Sequence, residues 1–182
     1  MALTPSAMVA LGTPCPDFAL PDTEGHLVRR DDFKAAPALL VIFLCNHCPY
    51  VKHVANDLAQ VAGKFLQKGV AVVGISSNDV MNYPEDSPEL MRREKRNRNY
   101  LFPYLYDETQ LIARSFGAAC TPDFFLYDAK RRLAYRGQFD DSRPGNGKPI
   151  TGHDLVGAVD AILAGREFPV QKPSMGCNIK WR

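Results

Sequence analysis

Cys45-Asn-His-Cys48 stands where a buried strand hands over to an amphipathic helix. Before it, Leu39-Leu-Val-Ile-Phe-Leu44 runs apolar without alternation, which predicts a strand covered on both faces. After it the period changes. Val51, Val54, Leu58, Val61 and Phe65 recur at three- and four-residue steps, with Lys52, Asp57, Gln60 and Lys64 between them, and Gly69 closes the helix. Val70-Ala-Val-Val-Gly-Ile75 then predicts a second buried strand. Strand, helix and strand, tightly linked, make a βαβ unit with a right-handed parallel crossover.

The rest of the chain fits around that unit. Asp17-Phe-Ala-Leu20 and His26-Leu-Val28 flank a Pro/Asp/Gly turn and predict an N-terminal β-hairpin. Ser87 to about Asn99 reads as a charged helix, Tyr104-Leu-Tyr106 as a short strand and Thr109 to Phe116 as a short helix. Phe124-Phe-Leu-Tyr127 and Leu133-Ala-Tyr-Arg136 predict a second hairpin, and His153 to Ala164 a last helix. Residues 165–182 read as an irregular tail folded back on the body, because Ser174-Met-Gly-Cys-Asn-Ile-Lys-Trp181 is too apolar to stay in water. With 182 residues, no repeat and no linker, the expectation is one α/β domain over residues 1–182, a central mixed sheet flanked by helices.

A net charge of +2 gives no electrostatic argument for nucleic acid or an anionic membrane. The run Arg92-Arg-Glu-Lys-Arg-Asn-Arg98 reads as a solvated helix face, and Gly145-Asn-Gly-Lys148 lacks P-loop spacing. Met1 to Leu20 has no basic start with a continuous apolar run, so it reads as neither signal peptide nor anchor, and the expectation is a soluble, cytoplasmic protein. Five cysteines, an odd number, do not suggest a disulfide framework in a reducing compartment.

The CxxC has a chemical reading. Two intervening residues let the sulfurs close a small disulfide ring, and the free N–H groups of a helix start stabilise a thiolate. His47, when protonated, adds positive charge beside both thiols. Two other readings stand beside it: plain packing at a strand end, and a zinc or copper site. A closed zinc site wants four ligands, and Cys120, Cys177 or His153 would have to complete it from afar.

These residues resemble the redoxin branch of the thioredoxin superfamily, which holds peroxiredoxins and TlpA-like thiol–disulfide oxidoreductases. Gly12-Thr-Pro-Cys-Pro-Asp-Phe-Ala-Leu20 with Asp22-Thr-Glu-Gly25 looks like its opening hairpin, and the strand into Cys45-Asn-His-Cys48 like its active-site step. Thr121-Pro122 ahead of Phe124-Phe-Leu-Tyr-Asp128 looks like its cis-proline loop, over a resemblance from Gly12 to Ala164. The resemblance implies a thioredoxin-like fold with a hairpin extension. It also implies exchange of a Cys45/Cys48 dithiol with protein or small-molecule disulfides, reset by an external thiol reductant, with no cofactor. Pro122 would face the dithiol, and the Thr121 backbone would pair with a substrate strand.

The sequence also departs from the pattern. In peroxiredoxin register Cys48 takes the peroxidatic place, Cys45 that of a Thr or Ser, and Pro122 that of an arginine, so the groups that bind and polarise a peroxide are missing. Peroxidase activity is the alternative reading. Thioredoxin's buried acid before the CxxC is absent too, leaving Asp123, His53 or water as stand-ins. The family's usual order makes Cys45 the attacking thiol, whereas Pro49 makes Cys48 the helix cap and favours Cys48. Cys120 and Cys177 are candidates for further redox thiols, and Cys15 reads as inert.

Overall fold

A computed structural model describes residues 3–182; Met1 and Ala2, the start of the N-terminal stretch, lie outside the described residues. The chain runs β1 (Leu3–Pro5), β2 (Ala19–Pro21), β3 (Leu27–Arg29), β4 (Leu39–Phe43), α1 (Pro49–Gln67), β5 (Ala71–Ser76) and α2 (Pro88–Arg98). It continues through β6 (Tyr104–Tyr106), α3 (Leu111–Phe116), β7 (Cys120–Thr121), β8 (Asp123–Tyr127), β9 (Leu133–Gly137), α4 (His153–Leu163) and β10 (Met175–Asn178).

The apolar run at β4 makes it the centre of a five-stranded sheet ordered β6-β5-β4-β8-β9. β4 is parallel to β5 and antiparallel to β8, so the sheet is mixed, as the sequence implies. Successive strand side chains leave on opposite faces. Leu40 and Ile42 join Val54, Leu58 and Phe65 of α1 and Leu155 and Val159 of α4 in one cluster. Leu39, Val41 and Phe43 join Phe18 and Leu20 beside the hairpin and Phe116 of α3 in the other. Both faces of β4 are therefore dry, which is why its sequence does not alternate. Among the described residues no helix is long and apolar enough to cross a membrane.

The tail differs from expectation. Residues 165–182 are not irregular throughout: β10 forms the middle of a second, three-stranded sheet, antiparallel to β1 on one side and to β7 on the other. Its Met-Gly-Cys-Asn sequence carries neither alternation nor β-branched residues, so nothing local marks it as a strand. Pairing with two remote edges makes it one.

Candidate active site

The turn after β4 delivers Cys45, and Cys48 becomes the N-cap of α1. Cys48 is extended (φ −64°, ψ 123°) because Pro49 at the first helical position keeps the residue before it out of the α region. Its thiol donates to the Thr121 carbonyl oxygen at 3.2 Å, and Cys45 Sγ lies 3.5 Å from Thr121 Oγ1. The Thr121–Pro122 peptide is cis. Both thiols are free and enclosed, Cys45 2% and Cys48 0% exposed. The fold thus gathers Cys45, Cys48, Thr121 and Pro122 at one end of the central sheet.

The two thiols are not equivalent. A hydrogen bond with Cys45 is the main influence holding Cys48 well below the ordinary thiol range; burial opposes it, and Cys177 and Thr121 assist. The same bond to Cys48, then burial and the charge of Asp86, hold Cys45 well above that range. Ionisation is therefore favoured at Cys48 over Cys45. That direction runs against the family's usual order, in which Cys45 attacks first. The helix-cap argument from Pro49 pointed to Cys48.

His47 is placed differently from its expected role. Its Nδ1 lies 2.6 Å from Asp86 Oδ2, and its ring stacks on Tyr83 with centroids 5.3 Å apart. The Asp86 carboxylate raises the imidazole pKa, burial opposes this, and Cys48 contributes little. The charge on His47 is therefore matched first by Asp86. Asp86 is fully buried and also accepts the Asn46 N–H at 2.7 Å, the His47 N–H at 3.2 Å and Asn78 Nδ2 at 2.8 Å. It fixes the turn between the cysteines. No sequence signal singled it out, since it falls between the loop read to Pro84 and the helix read from Ser87.

A sequence profile described as the AhpC/TSA family matches residues 11–136, a span that includes the CxxC, the cis peptide and Asp86. The chain belongs to the AhpC/TSA family. It is similar to a hypothetical protein of Sinorhizobium meliloti, 52% identical with a TM-score of 0.97 over 98% of both chains. Peroxiredoxin Bcp of Escherichia coli is 27% identical over 126 residues, 68% of this chain and 76% of its own. A putative thiol:disulfide interchange protein DsbE of Chlorobium tepidum has the same fold at 20% identity, with a TM-score of 0.67 over 86% of this chain and 99% of its own. The fold is thioredoxin-like, in the redoxin branch, and the protein is a thiol-redox oxidoreductase.

Other candidates sort by their contacts in this AhpC/TSA chain. Cys177 shares a buried cluster with Cys48, helps to lower the Cys48 pKa and is 3% exposed. Cys120, one residue before Thr121, faces elsewhere: its Sγ meets Ser6 Oγ at 4.0 Å and the Pro122 carbonyl at 3.7 Å, and burial raises its pKa. Cys15 is buried between Arg30 and Tyr127 on the other face and pushed up to about 12 by burial. Asp123 and His53, two of the three stand-ins for thioredoxin's acid, have other partners. Asp123 is fully buried against Arg136 and accepts Ser6 Oγ at 2.6 Å, and His53 Nε2 meets Ser142 Oγ at 2.5 Å.

Two expectations change. Cys45, His47 and Asp86 each place a ligand-type atom within 4.8 Å of the others, so His47 and Asp86 are the donors near the CxxC, while exposed His153 pairs with Asp154. Asp86 nevertheless has its acceptor positions filled by the four contacts above. The Thr121 backbone, expected to take a substrate strand, is already paired with β10, Cys177 standing opposite Thr121.

Proposed function

We propose that this protein is a thiol–disulfide oxidoreductase that exchanges its Cys45/Cys48 dithiol with disulfides of proteins or small molecules. One observation carries the reading: two buried free thiols in a CxxC, one of them the N-cap of α1, beside the cis Thr121–Pro122 peptide. The Cys48 thiolate attacks one sulfur of the substrate disulfide and expels the other as thiolate, forming a mixed disulfide. Cys45 then loses its proton to the departing thiolate and attacks Cys48 Sγ, which closes Cys45–Cys48 and releases the second sulfur as a thiolate that takes a proton from solvent. An external thiol reverses both steps. Loss of the Cys48 negative charge on capping removes a cause of the raised Cys45 pKa, so the second step is eased by the first.

The peroxide reading has weaker support. Cys45 and Pro122 occupy the places where peroxiredoxins carry a hydroxyl and an arginine, so the two groups that would polarise a peroxide are missing from those places. The test compares turnover of a hydroperoxide with turnover of a small aliphatic disulfide, using the same thiol reductant. Disulfide reduction is expected to be far faster. A peroxide rate in the peroxiredoxin range, retained in Cys45→Ser, would assign Cys48 as a peroxidatic cysteine and sink the exchange reading.

A further inference from the structure

β10 approaches the cis peptide more closely than an ordinary strand would. Cys177 lies opposite Thr121 and Asn178 opposite Cys120. Gly176 permits the approach: a Cβ there would stand 1.9 Å from the Thr121 carbonyl oxygen, so any side chain would drive the strands apart. Ser174 Oγ donates to the Pro122 carbonyl at 2.7 Å on one side. On the other, the Lys180 N–H donates to Asn78 Oδ1 at 2.8 Å and the Lys180 carbonyl accepts from the Asp79 N–H at 2.9 Å. Cys177 is thus held in place from both ends.

Cys48 is ordered about the same peptide, through its 3.2 Å contact with the Thr121 carbonyl. Cys177 packs in one cluster with both cysteines of the motif, and it and Cys48 act on each other's ionisation. Burying a small apolar residue would need only the cluster. Registry opposite Thr121, a glycine before it and contact with the reactive sulfur are what a substrate strand adding to β7 would provide.

We propose that Cys177 is an internal disulfide partner of Cys48, a third redox thiol carried by β10 to the position a substrate strand would take. This rests on the dithiol-exchange reading above. After Cys48 has attacked a small disulfide, breaking its S–S bond and expelling one thiolate, the Cys177 thiol passes its proton to that thiolate. Cys177 then attacks Cys48 Sγ, the bond from Cys48 to the substrate sulfur breaks, and the second sulfur leaves as a thiolate that takes a proton from solvent. Two protein thiols are oxidised and one disulfide is reduced to two thiols. Cys45 can attack Cys48 in turn, which returns Cys177 to the thiol and leaves Cys45–Cys48.

The electrostatics favour this order of events. Cys177 is pushed up to about 12, first by burial and then by its hydrogen bond to Cys48 and the negative charge there. Capping Cys48 removes the latter two causes, while Lys180 continues to act in the opposite direction. Cys177 is therefore quiet beside the Cys48 thiolate and freed in part once Cys48 has reacted.

Reduced Cys45→Ala protein is treated with hydroxyethyl disulfide, quenched in acid over a time course, alkylated and mapped by peptide mass spectrometry. The expected product is a Cys48–Cys177 linkage. In Cys45→Ala/Cys177→Ala the probe should remain on Cys48, with release of the second thiol slowed about tenfold or more. A probe that stays on Cys48 in Cys45→Ala while Cys177 is alkylated overturns the proposal and leaves the exchange reading intact. Wild-type protein treated alongside should form Cys45–Cys48. If it forms neither that bond nor a Cys48 adduct, the exchange reading falls and this proposal with it. Should Cys45→Ala fail to fold, the wild-type time course decides: a transient Cys48–Cys177 peptide is expected, and its absence at every time point overturns the proposal.

Discussion

His47 Nδ1 lies 2.6 Å from Asp86 Oδ2, and this ion pair ties the turn between the two cysteines to the segment leading into α2. Asp86 raises the His47 pKa above its ordinary 6.5, so the histidine side of the pair stabilises fully below 6.5 and fades as pH rises through the raised value. Asp86 itself is lowered from 3.8, because its bonds to His47 and Asn78 outweigh burial; its side stabilises above 3.8 and fades as pH falls through the lowered value. The pair therefore contributes most between 3.8 and 6.5. Asp86→Asn should lower the His47 titration midpoint, read by imidazole NMR, and lower the urea midpoint most within that window. An unchanged His47 midpoint would mean the pair does not govern the imidazole.

The Cys48 thiolate should be visible spectroscopically. Thiolate ultraviolet absorbance against pH is expected to show one acidic thiol in the reduced protein, lost in Cys48→Ser. Cys45→Ser should shift that titration upward, since the bond with Cys45 is the main cause of the low value. Retention of the acidic titration in Cys48→Ser would return the thiolate to Cys45.

Gly176→Ala should detach β10 from β7. The added methyl would meet the Thr121 carbonyl, and overpacking of this kind costs about 1–3 kcal/mol or more. The variant should unfold at lower urea. Its Cys48 should alkylate faster, because β10 packs over a sulfur that is 0% exposed in the intact protein. Slower or unchanged alkylation would show that β10 does not cover the dithiol.

Arg136 and Asp123 are both fully buried and paired, with Ser6 completing the cluster. Arg136→Met leaves the Asp123 carboxylate without its partner and is expected to cost about 3–5 kcal/mol, measured by urea denaturation. The double change with Asp123→Leu should recover much of that loss, as both charges are then gone. Equal losses in the single and double variants would show that packing of the guanidinium on Phe125, rather than the charge, is what matters.

Elemental analysis of protein purified under reducing conditions should find zinc and copper well below one atom per chain. The physical ground is Asp86, whose carboxylate already accepts from the Asn46 and His47 backbones, the His47 ring and Asn78. About one tightly held metal per chain, lost in Cys48→Ser, would overturn this.

What the chain determines locally is the framework from Leu39 to Ser76. Apolar continuity at β4 and β5 and the three- and four-residue recurrence in α1 are properties of neighbouring residues, so strand, turn and helix are legible without knowing their surroundings. The cap position of Cys48 is legible for the same reason, since Pro49 restricts the residue next to it. Tertiary structure alone decided the rest. Asp86 reaches His47 from a loop far along the chain, β10 is a strand only because β1 and β7 flank it, and Cys177 meets Cys48 through a register set at Gly176. Which sulfur ionises more readily depends on the same level of structure. A thiol's pKa depends on the hydrogen bonds and burial around it, and Cys48 draws these from Cys45, Thr121 and Cys177, three segments that only the folded chain brings together.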